Sequence, residues 1–142
     1  MKSDLIEKIE NVFRSQDCLR GKPATDAEIQ QAENLLKVTF NEQYVEFIKL
    51  FGGAFGGIDI HAFNNGSLLG KATVIDLTLK FRNANENCVP APLKNAYVIS
   101  DDGAGNPILM NSNGQILIYL HDEHEVEILY ESLEVLLTKS FS

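Results

Sequence analysis

The chain has 142 residues, 44% of them apolar and 23% charged, which is the size and balance of one soluble globular domain over residues 1–142 and excludes disordered and fibrous classes. No apolar run approaches the roughly 20 residues of a membrane helix, so no membrane partner is predicted. The formal net charge of −8 is lopsided, with 12 acidic and 11 basic side chains in residues 1–96 but eight acidic ones and only Lys139 in 97–142; this excludes a nucleic-acid ligand, which needs a basic face, and suits a basic protein partner.

Acidic residues stand near the start of the chain where a signal peptide would have its apolar core, so no export is predicted. Ser3 is predicted to cap a first helix whose stripe is Leu5, Ile6, Ile9, Val12 and Phe13 and which ends near Arg14. Gln16 to Ala24 reads as a connector. Thr25 and Glu28 have the spacing of a capping box and open a second helix that turns Ile29, Ala32 and Leu36 inward. Asn41 caps a third, with Phe40 and Val45 at the spacing of a hydrophobic staple and Tyr44, Phe47, Ile48 and Phe51 on its inner face. Gly52-Gly53 ends it, since glycine takes a left-handed C′ position without a Cβ clash. Cys18 and Cys88 are too far apart for a metal knuckle or redox pair, and two free thiols in a chain without a signal predict a reducing cytoplasm.

Phe55 to Phe63 alternates Ile58, Ile60 and Ala62 with Asp59 and His61, which predicts a strand half-buried on one face. Asn64 to Gly70 is a turn. Lys71 to Asn83 fits two periods: alternation of Ile75, Leu77, Leu79 and Phe81 favours a strand, whereas Thr73 as a cap with Val74, Leu77 and Phe81 marks a helix. Asn83 to Pro92 is predicted to be a loop. Four apolar runs follow, at 96–99, 108–110, 116–120 and 126–129, separated by Gly, Asn, Asp or Pro, and they read as an antiparallel β-meander. Asn113-Gly114 is predicted to form a type I′ hairpin tip, which needs positive φ at both residues. Ser132 caps a closing helix that buries Val135 and Leu136. The fold class is therefore α+β, a C-terminal meander packed against N-terminal helices.

The stretches that look reactive have plainer explanations. His121 to Glu125 lies between strands, so its histidines lack the i, i+4 helical face of a zinc protease site, and an exposed acidic turn is predicted. Asp101 to Asn106 mixes Asp, Gly and Asn without the order or the distal glutamate of a calcium loop. The glycines of Phe51 to Gly57 follow a helix, and no Gly-Lys-Ser/Thr ends them, so they are not a phosphate loop. There is no Gly-x-Ser-x-Gly elbow, and neither cysteine has an activating neighbour in sequence. No catalytic residue, cofactor or metal is predicted.

Two stretches carry a family resemblance. Pro23-Ala24-Thr25-Asp26-x-Glu28-Ile29, Ala32-Glu33, Leu36, Tyr44-x-x-Phe47 and Gly52-Gly53 form the first; Ile99-Ser100-Asp101-Asp102-Gly103-Ala104-Gly105-Asn106-Pro107-Ile108 followed by His121-Asp122 forms the second. In their order and separation they resemble the SUKH superfamily, which joins a yeast cell-wall regulator to bacterial immunity proteins of polymorphic toxin systems. Phe40-Asn41 departs from the Leu-Pro that usually precedes the third helix there, and either pair can open a helix. The resemblance implies an α+β fold with a helix over Thr73 to Arg82, and no shared catalytic residues. It implies a non-enzymatic immunity protein that binds a cognate toxin, often a nuclease; the alternative is a regulatory or scaffolding module in cell-envelope or stress signalling. The acidic residues in or beside the meander's connections, Asp101, Asp102, Asp122, Glu123, Glu125 and Glu127, are the candidate contacts for a toxin with a basic surface.

Overall fold

A computed structural model of the chain describes residues 1–86 and 88–142; Asn87, inside the loop expected over 83–92, lies outside the described residues. Helix α1 (Ser3–Ser15) buries Leu5, Ile9 and Phe13, one stripe at four-residue spacing. Its cap is Lys2, without a side-chain bond, so Ser3 is the first helical residue and not the cap. The start of α1 is held from the far end of the chain instead, where the Glu134 carboxylate accepts from the Lys2 N–H at 2.9 Å.

Helix α2 (Asp26–Leu36) has both halves of its capping box: the Glu28 N–H donates to Thr25 Oγ1 at 3.2 Å and the Thr25 N–H to Glu28 Oε1 at 3.0 Å. Helix α3 (Glu42–Phe51) is capped by Asn41 and buries Tyr44, Phe47, Ile48 and Phe51, as its periodicity requires. It stops at Gly52 for a reason other than a left-handed C′ turn. Gly52 has φ +67° and ψ −150°, a region open only to glycine, and a Cβ there would lie 2.1 Å from the Lys22 carbonyl oxygen.

The expected strand over 55–63 is instead a tight antiparallel pair, β1 (Ala54–Phe55) and β2 (Asp59–Ile60), because Gly56 and Gly57 reverse the chain between them, Gly57 at φ +91°. Ile60 and Ala62 are buried as alternation predicts, but so is His61, whose Nδ1 lies 2.7 Å from the Ala72 carbonyl oxygen. The ambiguous stretch is helix α4 (Val74–Ala84), and a second capping box between Thr73 and Asp76 starts it. Alternation failed there because both Thr78 and Phe81 face inward.

The meander is a four-stranded antiparallel sheet in sequential order, β3 (Tyr97–Asp101), β4 (Pro107–Met110), β5 (Ile116–Leu120) and β6 (Glu125–Tyr130). Its first three strands are buried on both faces, which explains their unbroken apolar runs. One face, with Tyr97, Ile99, Ile108, Met110, Ile116 and Ile118, joins the core built by α1, α2, α3 and the closing helix α5 (Leu133–Ser140). The other, with Val98, Leu109, Leu117 and Tyr119, packs under Phe81 of α4 and Leu93. Tyr97 is the pivot of the first core, its ring tilted against those of Phe40 and Tyr44 at centroid distances of 4.6 and 5.3 Å, and its hydroxyl accepts from the Asn41 N–H at 2.9 Å.

Two local expectations are corrected. Gly114 has φ +87°, but Asn113 is not among the positive-φ residues, so the β4–β5 tip is not type I′. Asn111 and Gln115 pair across it and the Gly114 N–H donates to the Asn111 carbonyl at 3.0 Å, the three-residue loop with a left-handed glycine. In α5, Ser132 caps as expected, but the buried residues are Leu133, Leu136 and Leu137 while Val135 is 40% exposed.

Candidate functional site

A sequential meander puts its first and third connections at the same end of the sheet. The β3–β4 loop and the β5–β6 turn therefore lie side by side, and these are the two segments richest in predicted contact residues. The β3–β4 loop is shaped by its own carboxylates. Asp101 Oδ1 accepts from the Gly103 N–H at 2.7 Å, and Asp102 Oδ1 accepts from the N–H groups of Ala104 and Asn106 at 2.8 and 3.0 Å. Gly103 and Gly105, at φ +81° and +90°, allow the chain to wrap around them.

Asn106 joins the two segments. Its Nδ2 donates to Asp102 Oδ2 at 2.8 Å, while its Oδ1 accepts from the His121 N–H at 3.0 Å and lies 2.6 Å from His121 Nδ1. The Asn106 side-chain bond, followed by the two backbone donors, holds the Asp102 carboxyl below the usual aspartate range. In the β5–β6 turn His124 takes φ +55°, and its Nδ1 is 3.0 Å from the Tyr119 hydroxyl. His121 Nε2 faces Asp122 at 3.2 Å. The two histidines thus turn to different partners, one toward the neighbouring loop and the other back onto β5.

Asp101, Asp102, Asp122, Glu123 and Glu125 are all exposed at this end of the sheet, and Glu127 is exposed two residues further along β6. The structure brings the first five together and sets Glu127 on the flank. Asp101 and Asp102 spend oxygen atoms on loop geometry, whereas among the described residues the side chains of Glu123, Glu125 and Glu127 make no hydrogen bond or ion pair. Their charge is therefore directed at solvent.

Beside the acidic loops lies a groove of about 560 Å³ between α4 and the sheet. Leu77, Phe81, Val98, Pro107 and Tyr119 line it, with Lys80, Asn85, Asp101 and His121 among its polar groups. Sequence reasoning did not find this groove, because it needs α4 to cross β3, and that placement depends on contacts far apart in the chain. Thr78 makes one of them: its Oγ1 accepts the Val98 N–H at 2.8 Å beside the irregularity in β3. An apolar groove next to unneutralised carboxylates can seat a hydrophobic side chain while attracting cations to its margin.

The sequence profile of the SMI1 / KNR4 family (SUKH-1) matches residues 23–139, which run from the connector before α2 to the last turn of α5. No curated protein matches the chain. No helix among the described residues is long and apolar enough to cross a membrane.

Proposed function

From the membership of this chain in the SMI1/KNR4 family (SUKH-1), shown by a match over residues 23–139, we propose that it is a non-enzymatic immunity protein that binds and neutralises a cognate toxin in the cytoplasm. Family membership fits a protein-binding role. The observation that carries the reading is the collection of Asp101, Asp102, Asp122, Glu123 and Glu125 at one end of a rigid sheet, beside a groove with apolar walls. Exposed carboxylates of one sign accelerate encounter with a basic partner, and a nuclease toxin has a basic surface because it binds phosphate. Inhibition then follows from steric cover of the toxin's active site and needs no chemistry from this chain.

The test is a pull-down from the native host with mass spectrometry, followed by expression of the captured protein alone and together with this chain. The reading requires that the captured protein stop growth alone and that co-expression restore it. Capture of a non-toxic component of envelope or stress signalling would favour the regulatory alternative. A toxin gene adjacent to this one would support the first outcome.

A further inference from the structure

The two edges of the four-stranded sheet are not equivalent. The β3 edge is covered, since the His61 N–H that follows β2 donates to the Ile99 carbonyl at 2.8 Å. The β6 edge has no such cover: β6 neighbours only β5, and among the described residues no backbone hydrogen bond outside the sheet involves Glu125 to Tyr130. Every second N–H and C=O of that strand points away from the sheet, which is a template for another strand.

Its side chains say which strand. Glu127 and Glu125 pair across β5 with Ile118 and Leu120 and so lie on the face of the main core, whereas Val126 and Ile128 pair with Tyr119 and Leu117 and lie on the face of α4. Ile128 is 53% exposed at this edge, an apolar residue with room for a neighbour. The register shift that makes Leu129 an extra residue ends the regular window, leaving Glu125 to Ile128 as the pairing segment. A second copy of this chain would bring its own Glu125 and Glu127 against these, and like charges across strands repel. A strand with Lys or Arg at alternate positions has the opposite effect.

We infer that the Glu125–Ile128 edge of β6 accepts, by antiparallel strand addition, an extended segment of a partner protein in which basic residues alternate with β-branched apolar ones. The basic residues face Glu125 and Glu127, and the apolar ones extend the patch of Val126 and Ile128. The backbone bonds supply affinity and the alternation supplies register. This deepens the immunity reading and rests on it for the identity of the partner as a toxin.

The test uses the full chain, labelled with nitrogen-15, and a capped hexapeptide alternating Lys or Arg with Val. Two N-methylated versions carry the methyl groups on opposite backbone edges, and a further version replaces each basic residue by Glu. The expected result is a set of shift changes centred on Glu125–Ile128, at least tenfold slower exchange of the outward amides there, and loss of binding for only one of the two N-methylated peptides. The exposed double variant Glu125→Lys with Glu127→Lys should lose the basic peptide and gain the acidic one. Equal binding of both N-methylated peptides, or shifts centred on the groove beneath α4, would overturn the proposal, as would amide protection that grows with protein concentration alone. No toxin enters this experiment, so its failure leaves the immunity reading standing, and a non-toxic partner from the host leaves the peptide result standing.

Discussion

Asp102 shows how a sequence can suggest one chemistry and the fold use it for another. Its Asp-Gly-Asn surroundings look like an ion loop, yet both carboxylate oxygens are occupied by Ala104 and Asn106. Because its pKa is lowered in the folded chain, the stabilisation it gives the loop is present above the ordinary value of 3.8 and is lost as pH falls through the lower folded value. A carbon-13 NMR titration of its side chain should therefore show a midpoint below 3.8, and Asn106→Ala should move that midpoint upward. A midpoint above that of a free aspartate would contradict the hydrogen-bonded loop. His121 and His124 lead to a second expectation, because their rings face Asn106 and Tyr119 and do not converge. Calorimetric titration with zinc and with calcium should reveal no stoichiometric micromolar site. A one-to-one zinc isotherm removed by the double change His121→Ala and His124→Ala would overturn this.

Helix α4 is anchored to the sheet through one buried hydroxyl. Thr78 is fully buried and holds the Val98 N–H of β3, so Thr78→Val keeps the shape and strands a buried donor. That should destabilise the protein by about 1–3 kcal/mol in urea unfolding, against about 1 kcal/mol for Thr73→Ala, which removes only a cap. Equal effects would mean that α4 is not anchored through Thr78. The caps of α2 and α3 and the meander were legible in the sequence because each rests on neighbours within a few residues: Thr25 with Glu28, Asn41 with Gln43, and runs of one period. The period of α4 was not, since a helix packed across a strand by Thr78 and Phe81 buries a polar residue that no hydropathy pattern marks. His61 was missed in the same way. It is held from the Ala72 carbonyl, eleven residues away, in a region that Gly56 and Gly57 fold back on itself. Of the candidate site, the acidic residues were visible from charge alone, while the Asn106 bridge, the groove under α4 and the open edge of β6 required the topology.

Across the whole molecule the near-neutral helices and both faces of the sheet build the core together, and the acidic side chains stand exposed at one end of that sheet. If that end docks on a basic toxin, association is steered by charge over distances of about 8 Å at 0.15 M salt and should slow as salt rises. Dissociation should depend instead on whatever fills the groove lined by Leu77, Phe81 and Tyr119. The most direct measurement is the association rate of the cognate toxin with the wild-type chain and with the triple variant Asp122→Lys, Glu123→Lys and Glu125→Lys, from low to high salt. All three residues are exposed, so the variant should keep the wild-type melting temperature. Its association should be slower by about tenfold or more at low salt, the difference should shrink as salt rises, and the variant should protect toxin-expressing cells less well. Association as fast as wild type at every salt concentration, with full protection, would contradict this and place the interface on another surface of the chain.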